Sequence, residues 1–215
     1  IDSPWPGSSL AGDGRLTGEV HAVIDHRIAF RSSSSSLLDE IDAFLGFGSP
    51  GNPSMVLDVE PTTGGGITLT AADIWPFGTR DGFFRQLVDV LNEYASRNDT
   101  AVTLHAGAVR TPDGRVILLP GESDAGKSTL TAALVQAGCD YLGDESIGIR
   151  GTTLSAIAYP KPLRLDDSSC RLLGLPTEKP HLDPREIRAS VAVLTGDSGT
   201  VSEIVLPVYR YDQGA

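Results

Sequence analysis

The sequence predicts an α/β protein built on a mixed sheet, and three observations carry that expectation. The continuous apolar run Val116 to Leu119 passes through a glycine-bearing loop directly into a helical pattern, which makes a strand–loop–helix unit. Residues 81–97 carry Phe84, Leu87, Val88, Leu91 and Tyr94 at helical spacing, an amphipathic helix whose stripe reads as core. Around these lie short β-type runs joined by tight turns, such as Asp25-His26 and Pro112-Asp113-Gly114. Hairpins combined with one strand–loop–helix unit give a sheet with both parallel and antiparallel neighbours. The 215 residues suit one large domain with a small appendage. The expected division is an N-terminal β/α module over 1–98 and a larger α/β domain over 99–215.

In order, residues 1–14 are rich in Gly, Pro and Ser and read as a loose lead-in. Glu19 to Ile24 and Arg27 to Arg31 are strand-like. The serines ending at Ser36 cap a helix whose apolar positions are Leu37, Leu38, Ile41, Phe44 and Leu45. Gly46 to Pro53 is a loop. Met55 to Val59 and Ile67 to Leu69 are strands flanking a Gly64-Gly65-Gly66 turn. After the 81–97 helix, Ala101 to Leu104 and Ala106 to Arg110 read as two further runs. Beyond the loop helix come short strands at Tyr141-Leu142, Ser146 to Arg150 and Thr153 to Ala158. A short helix is expected within Leu163 to Leu173, and Asp183-Pro184 supplies an N-cap and first-turn pair for another. Val191 to Leu194 and Val201 to Leu206 read as closing strands.

A net charge of −11 argues against a nucleic-acid surface, since phosphate backbones reward clustered Lys and Arg. No apolar run approaches the roughly 20 residues that cross a bilayer, so no membrane partner is expected. Ile1-Asp2-Ser3-Pro4 has neither a basic nor an apolar signal region. Two cysteines, Cys139 and Cys170, do not make a disulfide framework or a metal site. Cys139 reads as a small buried thiol. A reducing cytoplasm is the expected location.

The stretch Gly121-Glu122-Ser123-Asp124-Ala125-Gly126-Lys127-Ser128 matches G-x-x-x-x-G-K-S in the strand-to-helix context that a phosphate-binding loop requires. Gly121 and Gly126 allow backbone conformations a Cβ would forbid, so successive N–H groups can turn inward around a phosphate. The helix starting near Lys127 adds the positive end of its dipole. Lys127 brings a full charge to the β- and γ-phosphates, and Ser128 a hydroxyl for Mg²⁺. Residues 121–129, ending at Thr129, are the expected nucleotide-binding segment. Leu130, Ala133, Leu134 and Ala137 fall at i, i+3, i+4 and i+7, and Gly138 sits where the helix should stop.

Such a loop needs a second acidic group to complete a metal site or to activate a nucleophile. Asp144-Glu145 follow Lys127 by about one helix plus one strand, a spacing that returns the pair to the sheet end where ligands collect in α/β folds. Asp144 is the expected general base and Glu145 a carboxylate on the metal or just behind it, or the two in reversed order, with Asp144 also within the metal set. The bland alternative is an exposed acidic turn. His105, between Leu104 and Ala106, reads either as a hydrogen-bonded core histidine or as a catalytic group. His21, His26 and His181 show no partner spacing and are assigned no role.

These residues carry a resemblance. Leu104 to Val109, Leu118 to Leu130 and Tyr141 to Glu145 together resemble the C-terminal catalytic domain of HPr kinase/phosphorylase, and within it the broad group of HPr kinase-related serine kinases. Ala158 to Leu163 is similar to a Pro-containing stretch that follows in those relatives, and Arg27 to Leu45 to their N-terminal part. The likeness is firmest over residues 104–165. It implies a phosphate-loop (P-loop) kinase domain related in fold to phosphoenolpyruvate carboxykinase, using ATP and Mg²⁺ to phosphorylate a serine. By this resemblance Asp144 is the base, Lys127 the loop lysine, Ser128 the metal-binding hydroxyl and His105 the active-site histidine.

The resemblance also implies a serine-bearing protein or peptide as acceptor, such as the precursor of a ribosomal natural product, and a homo-oligomer. The true HPr enzymes have two aspartates where this chain has Asp144-Glu145. Their longer acidic–arginine signature is reduced here to Ile149-Arg150-Gly151. Phosphorylase activity and HPr itself as substrate are therefore not expected. Two other classes stay open: a non-catalytic ATP-binding sensor, and a kinase acting on the hydroxyl of a small molecule.

Overall fold

The structure is a computed structural model that describes residues 14–46, 48–49, 51–71, 74–97, 100–177 and 181–208. The lead-in expected over 1–14 lies, apart from Gly14, outside the described residues, as do Phe47 and Pro50 of the expected 46–53 loop. The protein is mixed α/β with two sheets, and the chain divides into two compact units, Ile1–Tyr94 and Ala95–Ala215.

The first unit runs β1 (Leu16–Val23), β2 (His26–Ser32), α1 (Ser35–Leu45), β3 (Met55–Pro61), β4 (Ile67–Thr70), β5 (Ile74–Phe77) and α2 (Arg80–Ser96). Its five strands lie in sequence order. Only β2 and β3, joined through α1, pair parallel, while the hairpin-linked neighbours are antiparallel. The Ser34 hydroxyl accepts from the Leu37 amide at 3.3 Å and opens α1, which buries Leu37, Leu38, Ile41 and Leu45. β5 has no clear signal in the sequence, because Pro76 interrupts its short run. A proline is tolerated there since among the described residues β5 is an edge strand, paired with β4 alone. On α2 the buried stripe is Phe83, Leu87, Val90, Leu91, Tyr94 and Ala95, with Phe84 and Val88 half-buried. The expected stripe is thus turned by one position. The Phe83 ring sets this, meeting Phe77 of β5 edge-on at 5.3 Å.

The second unit runs β6 (Val102–Arg110), β7 (Val116–Pro120), α3 (Lys127–Gln136), β8 (Asp140–Gly143), β9 (Ser146–Ile149), β10 (Ser155–Ala158), α4 (Asp167–Leu173), α5 (Pro184–Ile187) and β11 (Gly196–Ile204). The two runs expected around residue 105 are one strand, β6. Its first half pairs with β9 and its second half with β7 and β8. Pairings β7–β11, β11–β10 and β10–β9 then close five strands into a barrel, with β8 and β9 following one another along the same edge of β6. The β7–β11 pair is parallel and the others antiparallel.

Strand alternation sorts the apolar residues between two sides. Ala106, Ala108, Val116, Leu118, Leu142, Ile147, Ala156 and Ala158 cluster on one side. Val109 and Tyr141 face the other, against Ala132 and Val135 of α3 and Cys170 of α4. The helix buries Lys127, Thr131, Ala132 and Val135, not the expected stripe. Leu130, Ala133 and Leu134 are half-buried and Ala137 is exposed. Small residues face the sheet because the backbones approach closely: a Cβ on Gly107 of β6 would lie 2.3 Å from the Thr131 hydroxyl oxygen. Val191 to Leu194 is not a strand and contributes one bridge, Val193 to Tyr141. β11 starts at Gly196, earlier than expected. The Asp183 capping box of α5 forms as the sequence suggests.

Candidate functional site

Strand β7 ends at Pro120, and α3 begins at Lys127 with Gly126 as its N-cap. Between them Asp124 (φ 63°) and Gly126 (φ 90°) both adopt left-handed backbone. Left-handed positions alternating with right-handed ones are what turns successive amides toward one centre in an anion nest. Glu122, Ser123 and Asp124 are exposed, so the two loop carboxylates sit in solvent, where their repulsion toward an anion is screened. Lys127 is buried, and its ammonium donates to the carbonyls of Gly121 (2.8 Å) and Glu122 (2.6 Å). An ammonium carries three donors, so these bonds anchor the side chain over the loop with one donor left for an anion. The Thr129 hydroxyl is turned to Ser169 of α4 at 2.7 Å. Ser128 is half-buried.

The acidic pair reaches the same level of the barrel wall, midway along β6. Ala106 of β6 pairs with Pro120 on one side, and on the other its amide donates to the Glu145 carbonyl at 3.1 Å. The start of the loop and the acidic pair therefore flank one residue, about 10 Å apart across two strand spacings. His105 precedes Ala106 and pairs with Ser146. Gly107 and Val109 face α3, so His105, two residues earlier, shares that face beyond the helix N-terminus. Its side chain is exposed, which overturns the core-histidine alternative.

Asp144 is 4 % exposed, so it does not belong to an exposed acidic turn. The ammonium of Lys161 lies 2.9 Å from Asp144 Oδ1 and 2.9 Å from Glu145 Oε2. Tyr141 donates its hydroxyl to the Lys161 carbonyl (2.8 Å) and lies 3.2 Å from Asp144 Oδ1. The segment carrying Lys161 can come this close because residue 143 is glycine: a Cβ there would lie 2.8 Å from the Tyr159 carbonyl oxygen. Burial alone would lower the Lys161 pKa, but Asp144 and Glu145 outweigh it and hold the ammonium above its ordinary value. Burial, and then the Asp144 charge, push the Tyr141 hydroxyl well up. Burial, with Lys161 and Arg164 beside it, lowers the pKa of His181. Lys161 is the site residue the sequence did not reveal. A lone charged residue in the apolar run Ala156 to Leu163 was the available signal for Lys161.

The donor set fits a hard divalent cation such as Mg²⁺: the Ser128 hydroxyl and the carboxylates of Asp144 and Glu145 are all oxygen ligands. The Tyr159 hydroxyl is buried and without a hydrogen-bond partner among the described residues, and burial, then the Glu145 and Asp144 charges, push its pKa up. Among the described residues no three His, Cys, Asp or Glu side chains are grouped to hold a metal. Such an ion would need further oxygen ligands, such as those of a phosphate, to complete its shell. Among the described residues no helix is long and apolar enough to cross a membrane. No family model matches the chain, and a search of curated proteins returns no match.

Proposed function

We propose that the protein is an ATP-dependent kinase of the HPr kinase-like type, transferring the γ-phosphate to a serine hydroxyl of a protein or peptide in the cytoplasm. One observation carries this reading: the phosphate-loop sequence and the Asp144-Glu145 pair flank the same residue, Ala106, on opposite edges of β6. In this mechanism the amides of 121–129 and the N-terminus of α3 hold the phosphate chain, and Lys127 offsets its charge. A bound Mg²⁺, held by Ser128 with Glu145 and Asp144, would neutralise charge on the β- and γ-phosphates. Asp144 accepts the proton of the attacking serine hydroxyl, and His105, exposed on the loop face, hydrogen-bonds the incoming groups. Phosphoryl transfer asks little covalent chemistry of a protein, so positioning and charge supply most of the acceleration.

The burial of Asp144 beneath Lys161 favours a second reading, an ATP-binding regulator that transfers nothing. Incubation with γ-labelled ATP, Mg²⁺ and serine-bearing peptides separates the two. Label is expected on a peptide with the parent chain, and its loss with nucleotide affinity kept in Asp144→Asn. Transfer that survives in Asp144→Asn removes the base assignment. Nucleotide binding without label on any peptide or metabolite favours the regulator.

A further inference from the structure

Lys161 lies outside the phosphate loop, yet its buried ammonium joins the two carboxylates beside it. Asp144 and Glu145 are neighbours in sequence and would repel one another if both were ionised without a cation between them. Burying an ammonium is in turn costly unless it is paired. Each contact is 2.9 Å, so Lys161 occupies the position between two carboxylates that a metal cation favours. The pair is asymmetric. The Asp144 side chain is 2 % exposed and that of Glu145 is 29 % exposed. Asp144 also lies against the Tyr141 hydroxyl, which is fixed in turn to the Lys161 carbonyl. The Tyr159 hydroxyl, buried and without a hydrogen-bond partner among the described residues, is a polar group still to be satisfied, and burial, then the Glu145 and Asp144 charges, push its pKa up.

The geometry points to Lys161 as a resident counter-ion with which a divalent cation competes for the acidic pair, Glu145 changing partner while Lys161 keeps Asp144 in place. This rests on the reading of the site as one that takes a divalent cation with a nucleotide. A 2+ ion outcompetes a single ammonium for the solvent-facing carboxylate when phosphate oxygens complete its shell. Without them the ammonium holds both acids. Lys161 is then a positioning residue: it orients Asp144 and sets how strongly the site takes metal alone.

The test uses the full chain and Mn²⁺ as the only ligand, with bound ion read by electron paramagnetic resonance. The parent should bind Mn²⁺ weakly at this site. Lys161→Met, which removes the competing charge a few ångströms away, should bind it about tenfold more tightly or better. Lys161→Arg, which keeps the charge, should resemble the parent, and adding Glu145→Gln to Lys161→Met should abolish the gain. Should Lys161→Met be too unstable to titrate at ambient temperature, its melting temperature should rise with Mn²⁺ by more than the parent's does. Equal or weaker Mn²⁺ binding in Lys161→Met, an equal melting shift, or a gain untouched by Glu145→Gln would each overturn the proposal. No ATP or acceptor takes part, so the two readings fail separately. Tightened Mn²⁺ binding without phosphoryl transfer sinks the kinase alone, and transfer without tightening sinks the counter-ion alone.

Discussion

Replacing Gly107 by alanine tests whether the seating of α3 on β6 governs the loop. The added Cβ would lie 2.3 Å from the Thr131 hydroxyl oxygen, against at least 3.0 Å for real contacts. Helix and strand must therefore part by roughly 0.7 Å, or Thr131 must leave its rotamer. Thr131 is fully buried and β-branched, so neither adjustment is cheap. Overpacking of this kind costs about 1–3 kcal/mol, which for a chain of this size lowers the melting temperature by about 2–12 °C. Thr131 lies one turn into α3, whose first residue is Lys127, so the same displacement moves the helix end that closes the loop. Thermal denaturation and titration with a fluorescent ATP analogue should show both losses together. Thr131→Ala removes the oxygen that clashes, a hydroxyl with no hydrogen-bond partner among the described residues, and should cost little by itself. In the double variant most of the stability and the nucleotide affinity should return, a coupling of about 1 kcal/mol or more. A Gly107→Ala chain that melts with the parent, or one that Thr131→Ala does not relieve, would refute the reasoning.

Lys127→Ala should lose ATP binding and any turnover together, since the carbonyls of Gly121 and Glu122 hold that ammonium over the loop. Isothermal titration showing unchanged affinity would remove the lysine from the site. In the first unit, hydrogen bonds from Arg31 at 2.7 and 3.0 Å hold the Asp58 carboxyl below its ordinary value of 3.8 despite partial burial. The folded state thus favours the carboxylate. The resulting stability is fully present above pH 3.8 and is lost as pH falls through the depressed folded value. The stability gap between the parent and Asp58→Asn, about 1 kcal/mol at neutral pH for a part-buried pair, should begin to narrow below about pH 4 and vanish beneath the depressed folded value. A gap that persists there would show that the ion pair is not its source.

What the sequence disclosed was local. Ser34 and Asp183 cap their helices, and the span from Val116 to Lys127 forms strand, loop and helix, because each signal is complete within a few residues. What it concealed depends on distant parts of the chain. β6 reads as two runs because its halves have different partners, and no local pattern encodes a change of neighbour. The stripe of α3 is misjudged because Gly107 draws the helix in close, so Thr131 and Ala132 face the sheet while Leu130 and Leu134 are pushed to its flanks. Lys161 was invisible as a partner of Asp144 because that contact depends on the segment from Tyr159 crossing over Gly143.

The convergence of loop and acid follows from strand direction. β7 and β8 both run antiparallel to β6 and flank its second half, so the loop that leaves β7 and the two residues that join β8 to β9 come level with each other at Ala106. A single strand between them sets the separation at two strand spacings, about 10 Å, enough for a polyphosphate and an acceptor hydroxyl side by side. This arrangement depends on the register of β6. A slip of one residue would turn His105 from the loop face and bring the Cβ of Ala106 or Ala108 against Thr131, where only the glycine at 107 fits. The residue that admits the helix is thereby the residue that fixes which side chain stands at its N-terminus. Packing and the placement of the candidate chemistry are one constraint here, so β6 should tolerate substitution least at position 107.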